Sequence, residues 1–287
     1  GRFIGNLNNY ITQINGKDIS YNNLLDIDAS LDLLRDLKSN KSLFLIHKHN
    51  NPCGVAIRDS VIEAYEDALS CDNISAFGGI LTCNQTIDKK SADQINKLFF
   101  EIIIAPNYDN EALTILKSKK NRIIIKLNKI PTKIIQSRSC LDGFLEQDFD
   151  KKIENFNEFK VVTNLSPNNK NSDDLVLASI IAKHTKSNCI VIVKNQQLIG
   201  SGMGQVSRID ALDQAIEKSK KFGFELEESS LASDAFFPFS DCVEISFKNG
   251  INSIIQPGGS VRDQDSIDFC NENEMPMVFS GIRHFRH

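Results

Sequence analysis

The sequence has no long hydrophobic run. None of its apolar stretches approaches the roughly 18 residues that a membrane-spanning helix needs. Residues 1–20 also lack an apolar stretch of the length found in secretory signal peptides. Membrane and secreted proteins are therefore disfavoured, and we expect a cytoplasmic protein with no membrane partner.

An excess of basic residues is also missing. The chain carries 33 Lys and Arg against 37 Asp and Glu, a net charge of −4, whereas nucleic-acid binding favours a basic face. We therefore expect no nucleic-acid partner. Two basic clusters, Lys117-Ser118-Lys119-Lys120 and Lys218-Ser219-Lys220-Lys221, fall near the ends of predicted helices, where cations complement the helix dipole. Each is most simply a solvated helix end, although either could form a surface patch for anions.

Closely paired cysteines are absent as well. The chain has seven cysteines, an odd number, and no Cys-x-x-Cys pair, which argues against a disulfide framework. Cys189 precedes the apolar run Ile190–Val193, where a free cysteine behaves as a small hydrophobic residue. We expect reduced, structural thiols. The cysteines stand at positions 53, 71, 83, 140, 189, 242 and 270.

What the sequence does have is an alternation of helix and strand patterns. Ser60-x-x-Glu63 is a capping box, and apolar residues at helical spacing follow it; similar spacing recurs around Leu177 and Leu212. Short β-branched runs bounded by turn residues predict buried strands. The predicted fold class is therefore α/β. The predicted strands are 43–46, 79–82, 102–105, 123–125, 190–193 and 275–279.

The length of 287 residues suggests two domains, at about 150 residues per domain. The chain turns polar between Phe156 and Asp174, and residues 164–173 have the composition of a linker that ends in a helix cap. We predict a first unit at 1–157 and a second unit at 158–287.

The stretch from Lys48 to Gly54 is the most informative part of the chain. It follows the apolar run 43–46, and Asn50-Asn51-Pro52 predicts a turn that leaves Lys48 and His49 at the lip of a ligand crevice. An imidazole can move protons near neutral pH, and an adjacent ammonium can stabilise developing negative charge. Taken alone, such a pair more often belongs to a solvated loop than to a catalytic site.

Further sequence blocks carry a resemblance to a known family. With the Lys48-His49 element, they are similar to the transformylase half of the bifunctional AICAR transformylase/IMP cyclohydrolase family, from about Gly16 to His287. The blocks are Ser75-Ala76-Phe77-Gly78-Gly79, Gly202-Met203-Gly204-Gln205-Val206-Ser207-Arg208, Ala232-Ser233-Asp234-Ala235-Phe236-Phe237-Pro238-Phe239-Ser240-Asp241, Gln256-Pro257-Gly258-Gly259-Ser260-Val261-Arg262-Asp263-Gln264-Asp265 and Gly281-Ile282-Arg283-His284-Phe285-Arg286-His287.

The resemblance implies both fold and reaction. The fold is two cytidine-deaminase-like α/β units packed together, without the zinc site. The reaction transfers a formyl group from the co-substrate 10-formyltetrahydrofolate to the 5-amino group of AICAR, giving FAICAR and tetrahydrofolate in purine (IMP) biosynthesis.

A zinc-dependent deaminase is the rival interpretation of such a fold. Those enzymes bind zinc through His-x-Glu and Pro-Cys-x-x-Cys elements. Pro52-Cys53 is followed by no second thiol, and the five histidines pair only as His47-x-His49 and His284-x-x-His287. Four zinc ligands are not available, so we expect no metal requirement.

The resemblance assigns roles residue by residue. Lys48 and His49 match the catalytic pair, with His49 moving the proton of the attacking amine and Lys48 keeping the imidazole neutral and stabilising the oxyanion. Arg283 suits a phosphate through its planar fork. The residues implied in substrate binding are Ile74, Phe77, Gly78, Asn188, Ile209, Phe236, Pro238, Asp241, Arg283, Phe285 and His287.

Several of these residues also have simple structural interpretations. Asn188 could form the turn before the strand at 190–193, Asp241 could cap a helix, and Phe285 could belong to the core. We expect Phe237 and Phe239 to be core residues, since Pro238 limits the strand geometry. Gly258-Gly259-Ser260 is either an anion-binding turn or an ordinary tight turn.

The resemblance also implies partners. AICAR and folate are the ligands, and a homodimer shares its active sites between subunits. The family's Arg-Tyr-Gly-Glu-Asn-Pro-His-Gln stretch and its cyclohydrolase half are missing from this sequence, so we expect a fragment. A non-catalytic purine- or folate-binding module and a pure assembly fragment are the alternatives from other classes.

Overall fold

A computed structural model describes residues 3–153 and 155–287. They form fourteen β-strands, eight α-helices and two short 3₁₀ helices. The strands are β1 (Ile11–Asn15), β2 (Ser42–Lys48), β3 (Asn51–Arg58), β4 (Ile80–Cys83), β5 (Ile102–Ala105), β6 (Ile123–Leu127), β7 (Ile135–Cys140), β8 (Gly143–Asp148), β9 (Lys160–Val161), β10 (Ile190–Lys194), β11 (Gln197–Gly202), β12 (Ser230–Ser233), β13 (Ser253–Gln256) and β14 (Met277–Phe279). The helices are α1 (Tyr21–Asp36), α2 (Val61–Cys71), α3 (Lys89–Ile95), α4 (Asn110–Leu116), α5 (Asn169–Lys183), α6 (Arg208–Lys221), α7 (Asp241–Lys248) and α8 (Asp263–Glu272).

Twelve strands form one sheet in the order β1-β6-β5-β4-β2-β3-β11-β10-β12-β13-β14-β9. The first six come from the N-terminal part of the chain and the last six from the C-terminal part. The two halves meet where β3 and β11 pair in antiparallel fashion, with Ala56 opposite Gln197. Each half contains a parallel trio, β4-β5-β6 and β12-β13-β14. The α/β prediction is confirmed as a mixed sheet flanked by helices.

Both faces of this sheet are covered. In β2, Leu43 and Leu45 belong to one apolar cluster while Phe44 and Ile46 belong to another, as the alternation of side chains in a strand requires. One cluster extends across both halves and includes residues of α1 and α5. On the other face, α2 to α4 and α6 to α8 cover separate clusters. The result is three layers.

Local signals account for the helix boundaries. The capping box predicted at Ser60 is present, since its side chain accepts from the backbone N–H of Glu63 and the Glu63 side chain accepts from Ser60. The predicted linker at 164–173 is too long, because α5 already begins at Asn169. The Asn168 side chain accepts from Asn171 N at 2.9 Å and so caps the helix.

The strand register places one set of loops at a single edge of the sheet. His47 at the end of β2 lies opposite Ile80 at the start of β4. Ile190 at the start of β10 lies opposite both Gly202 and Ser233, at the ends of β11 and β12. Because β11 runs antiparallel to β3, this edge also holds the β2–β3 turn. We call it the loop edge.

The hairpin β7–β8 stands apart from the large sheet. All its residues are exposed, including Leu141 at its turn, Phe144 and Leu145. A two-stranded hairpin is marginally stable in water. Its exposed apolar side chains are therefore available for contact with another surface.

No helix within residues 3–153 and 155–287 is both long enough and apolar enough to cross a membrane.

Candidate functional site

A turn follows Lys48 as predicted, but its two loop residues are His49 and Asn50. The predicted position at Asn50-Asn51-Pro52 is wrong, because Asn51 pairs with Lys48 and begins β3. His49 and Asn50 both have left-handed backbone angles, with φ of 52° and 63°, as such tight hairpin loops require. Asp26 Oδ1 accepts from Asn50 N at 2.6 Å, and Asn51 Nδ2 donates to the His49 carbonyl at 3.0 Å. The turn is therefore held from both sides while the His49 side chain stays exposed.

Lys48 connects this turn to the next loop. Its Nζ donates to the Phe77 carbonyl at 2.6 Å. Gly78 follows with φ of 71°, a conformation that favours glycine, and its N–H donates to the Phe99 carbonyl at 2.8 Å. The Phe77 and Phe99 rings lie 4.9 Å apart. Lys48, His49, Phe77 and Gly78 thus form a first group of candidates.

This first group carries exposed apolar surface. Ile74 is 60% exposed and Phe77 is 58% exposed. Large apolar side chains at this level of exposure next to a Lys-His turn are available to a planar ligand or to a partner surface.

A second group centres on Asn188. Asn188 Oδ1 accepts from Arg208 Nη2 at 2.8 Å, and Asn188 Nδ2 donates to the Gln205 carbonyl at 2.9 Å. Arg208 also forms a salt bridge with the buried Asp234. Since both ends of the Asn188 amide are bonded, Asn188 fixes the position of Arg208. Ile209 follows Arg208 and is half-buried.

Arg208 was not among the residues singled out from the sequence. It ends the block Gly202–Arg208, at the first position of α6, but its partners are 20 and 26 residues away. Its position at the end of that glycine-bearing block was the one available signal.

The segment after β12 supplies aromatic side chains. The Arg283 guanidinium lies over the Phe236 ring, 4.6 Å from its centroid. Phe237 is fully buried, as predicted, whereas the prediction that Phe239 is a core residue is wrong. Phe239 is 50% exposed, and Arg262 lies over its ring at 5.1 Å. The exposed Pro238 turns the chain between them.

Asp241 is the first residue of α7, and its Oδ1 accepts from the adjacent Cys242 N at 2.8 Å. Asp241 therefore does not occupy the capping position, which belongs to Ser240. Because Asp241 is exposed, its second carboxylate oxygen is available for a ligand.

The C-terminal segment Arg283–His287 alternates between anchoring and exposed residues. His284 is buried, and its Nδ1 lies 2.6 Å from Asp150 Oδ2. Arg286 N donates to Ser187 Oγ at 3.0 Å, and Arg286 Nη1 donates to the His184 carbonyl at 2.9 Å. The other three residues, Arg283, Phe285 and His287, are exposed. The rings of Phe285 and His287 are stacked, with centroids 5.8 Å apart. The predicted binding residues thus share one side of the segment.

A buried charge network lies beneath this segment. Asp36 Oδ2 lies 2.8 Å from Lys183 Nζ and 2.9 Å from His184 Nε2. Burial opposes ionisation of Asp36, but the hydrogen bonds from His184 and Lys183 outweigh burial and lower the pKa of this carboxyl to about 2. Burial likewise outweighs the attraction of Asp36 and lowers the pKa of His184. The network ties α1 to α5 across the two halves of the sheet.

His47 is a buried imidazole whose environment opposes protonation. It is fully buried, and neither ring nitrogen has a hydrogen-bond partner within residues 3–153 and 155–287. Burial first, then the positive charges of Arg286 and His184, lower its pKa from 6.5 to about 3. Below pH 6.5, His47 is therefore protonated in the unfolded chain, whereas in the folded chain its ring stays neutral down to about pH 3.

We expect stability to fall as the pH drops from 6.5 towards 3, by up to roughly 1.4 kcal/mol per pH unit for His47. Asp36 acts in a lower window, between its ordinary pKa of 3.8 and about 2. The free energy of unfolding is measured in urea at several values between pH 7 and 4.5. As the pH falls, it should decrease less steeply for His47→Leu than for the parent. Parallel curves for the two proteins would contradict this assignment.

The cysteines are free, and six of the seven are buried. Burial, and to a lesser degree the charge of Asp72, raises the pKa of the Cys53 thiol to about 12. Cys53 is therefore a thiol rather than a reactive thiolate at neutral pH. Among the described side chains, no group of three or more His, Cys, Asp or Glu is arranged to hold a metal ion.

The two groups of candidates lie on the same loop edge but are separated along it. The Lys48-His49 turn joins β2 and β3, whereas Phe236 follows β12, three to four strands away. At the usual strand spacing this is about 14–19 Å.

Comparison with known proteins gives the family. Residues 4–218 match the family described as AICARFT/IMPCHase bienzyme. The bifunctional purine biosynthesis protein PurH of Bacteroides thetaiotaomicron is 54% identical over 289 residues, covering 100% of this chain and 56% of that protein. Proteins of the same name from Caldicellulosiruptor saccharolyticus and Petrotoga mobilis are 46% and 47% identical, each match covering 96% of this chain and 53% of the relative.

The loop edge of this α/β fold carries an imidazole, an ammonium, arginines and aromatic rings. The chain belongs to the AICARFT/IMPCHase bienzyme family, and its resemblance to that family is thereby confirmed. The chain spans about half the length of the relatives it matches. Their name places the family in purine biosynthesis.

Proposed function

We propose that this chain carries the formyl-transfer function, moving a formyl group from 10-formyltetrahydrofolate to the 5-amino group of AICAR. The observation that carries the proposal is the Lys48-His49 turn, because it exposes the His49 imidazole at the loop edge while Lys48 Nζ is bonded to the adjacent Phe77 loop. Family membership supports the same reading.

The chemistry needs one proton acceptor and one stabiliser of negative charge. The amine nitrogen attacks the formyl carbon and forms a new C–N bond, while the proton of the amine passes to His49. The bond between the formyl carbon and folate N10 then breaks, and the proton is delivered to N10. His49 therefore acts first as a base and then as an acid, with no covalent intermediate and no metal.

Lys48 has two roles in this proposal. Its ammonium stabilises the oxyanion that forms at the formyl carbon. Its hydrogen bond to the Phe77 carbonyl also holds the loop of Ile74, Phe77 and Gly78 near the reacting atoms. That loop offers an apolar wall and a close backbone approach to the flat pterin ring.

The second group supplies nucleotide and folate contacts. Arg283 binds the phosphate of AICAR, and Phe236 and Phe285 face the flat rings of the ligands. Arg208, held by Asn188 and Asp234, provides a second fixed guanidinium. Ile209 and Pro238 form walls of the pocket, while Asp241 and His287 lie at the folate end.

We further propose a homodimer with active sites shared between subunits. The separation of about 14–19 Å between the two groups supports this arrangement. So does the exposed apolar surface of Ile74, Phe77 and the β7–β8 hairpin, which a partner subunit would cover.

Subunit mixing tests the shared site. In full-length protein, His49→Ala and Arg283→Ala chains are each expected to be inactive or nearly so. When equal amounts are mixed and exchange at random, about half of the dimers contain one chain of each variant. Each such heterodimer has one intact composite site out of two. Total activity should therefore recover to at most about a quarter of the parental value. Exchange is confirmed with a size-tagged chain. No recovery after confirmed exchange would place each site within a single subunit.

The function itself is tested by following tetrahydrofolate formation with AICAR and 10-formyltetrahydrofolate, on this chain and on a full-length relative in parallel. Turnover that requires both substrates supports formyl transfer. Calorimetric binding of AICAR without turnover in either protein would favour the non-catalytic binding module, and no binding in either would favour an assembly role.

The remaining expectations stand as proposals. We propose that residues 1–157 and 158–287 are two cytidine-deaminase-like units, supported by the division of the sheet into an N-terminal and a C-terminal half. We place the protein in the cytoplasm, supported by its free cysteines.

A further inference from the structure

A cavity of about 610 Å³ lies beside the Phe77 loop, at the N-terminal ends of β5 and β6. It is next to the first group of candidates, because Gly78 N donates to the Phe99 carbonyl and Glu101 N donates to the Gly79 carbonyl. Five cationic side chains and one carboxylate line it. They are Lys17, Lys97, Lys119, Lys120, Arg122 and Glu101.

Arg122 is a buried cationic side chain that lines this cavity. Only 5% of its surface is exposed. Its Nη1 donates to Asn96 Oδ1 at 2.7 Å and to the Leu116 carbonyl at 3.1 Å, and its guanidinium lies 4.2 Å from the Phe100 ring centroid. Its buried Nε has no hydrogen-bond partner within the described parts of the chain. The guanidinium is therefore fixed in place but not fully bonded.

The charges around Arg122 are mostly uncompensated. Glu101 pairs with Lys17 at 2.6 Å, so the carboxylate of the cavity is already engaged. Lys119 and Lys120 are exposed at the rim, and Lys97 contacts only the neutral Gln94 side chain among the described residues. These cationic side chains line the same cavity, and a bound anion would be attracted to them.

We propose that this cavity is a binding site for a multivalent oxyanion, with Arg122 as its fixed donor and Lys97, Lys119 and Lys120 as its rim. Phosphate and carboxylate oxygens share the required chemistry, because a guanidinium fork and ammonium groups bind both. This site is separate from the residues that carry the proposed formyl transfer, and its occupancy does not depend on that reaction.

Calorimetry at low salt tests the site with inorganic pyrophosphate, tricarballylate and acetate. We expect saturable binding of at least one of the two multivalent anions and weaker binding of acetate. Tighter binding of pyrophosphate would indicate that the site takes a phosphate compound, whereas tighter binding of tricarballylate would indicate a carboxylate compound. Rising salt should weaken binding.

A double charge reversal, Lys119→Glu with Lys120→Glu, should weaken that binding at least about tenfold. Lys117→Glu is the matched control, since Lys117 is exposed on the same loop and does not line the cavity; it should change affinity by less than about twofold. Arg122→Gln is a second variant, with its fold checked by thermal unfolding because Arg122 also supports the Leu116 carbonyl. Absence of saturable binding for both multivalent anions, or equal affinity in the double variant and the control, would overturn the proposal.

Discussion

Replacing His49 should lower formyl transfer by at least about 10²-fold, the usual contribution of a general acid-base group. The structure sharpens the choice of variant. His49 occupies a left-handed turn position with φ of 52°, where alanine is strained and asparagine is well tolerated. His49→Asn therefore removes the imidazole while preserving the turn, and His49→Ala removes both.

The two variants separate chemistry from conformation. If the imidazole moves the proton, both lose activity to a similar extent, and the far-ultraviolet circular dichroism and unfolding midpoint of His49→Asn stay close to the parent. An asparagine variant with near-parental turnover in an otherwise active full-length protein would remove His49 from the mechanism. Loss in the alanine variant alone would point to the shape of the turn.

Lys48→Met serves as the companion measurement. Removing the ammonium should lower turnover through loss of oxyanion stabilisation, and it should also raise KM for folate because the Phe77 loop loses the hydrogen bond from Lys48 Nζ. A change in KM alone would indicate that Lys48 only holds the loop.

The features that depend on neighbouring residues were predictable from the sequence. Runs such as 102–105 and 123–125 predicted strands because three consecutive β-branched residues between turn signals fit little else. The Ser60–Glu63 capping box and the turn after Lys48 likewise depend on residues within a few positions. The strands and the capping box are confirmed, and a turn is present, although it lies at His49-Asn50 rather than at Asn50-Asn51-Pro52.

Features that depend on distant pairs were not predictable. The single twelve-stranded sheet depends on Ala56 meeting Gln197, and Arg208 is held by Asn188 and Asp234. The exposed hairpin β7–β8 also escaped prediction, since its strands show no apolar alternation and no core to face. The spacing of apolar residues predicts which face of a helix or strand is buried. It carries little information about which other element packs against that face.

The C-terminal segment shows why position alone was an insufficient guide. Removing Arg283–His287 would test nucleotide binding only if most of the fold stayed intact. The buried contacts of His284 with Asp150, and of Arg286 with His184 and Ser187, mean that truncation would also expose and unpair groups of the core. Point variants on the exposed side of the segment are the sharper test.

Arg283→Ala should weaken AICAR binding about ten- to a hundredfold, because a charge-assisted hydrogen bond to phosphate contributes roughly 1.5–3 kcal/mol. Arg283→Lys should fall between parent and alanine variant, since lysine keeps the charge and loses the planar fork. Arg262→Ala is the matched control, because Arg262 is also exposed and also lies over an aromatic ring of the same segment, Phe239. Affinity is measured by calorimetry in full-length protein at fixed ionic strength. An Arg283→Ala affinity equal to that of the parent, or an equal loss in the Arg262→Ala control, would contradict a phosphate contact specific to Arg283.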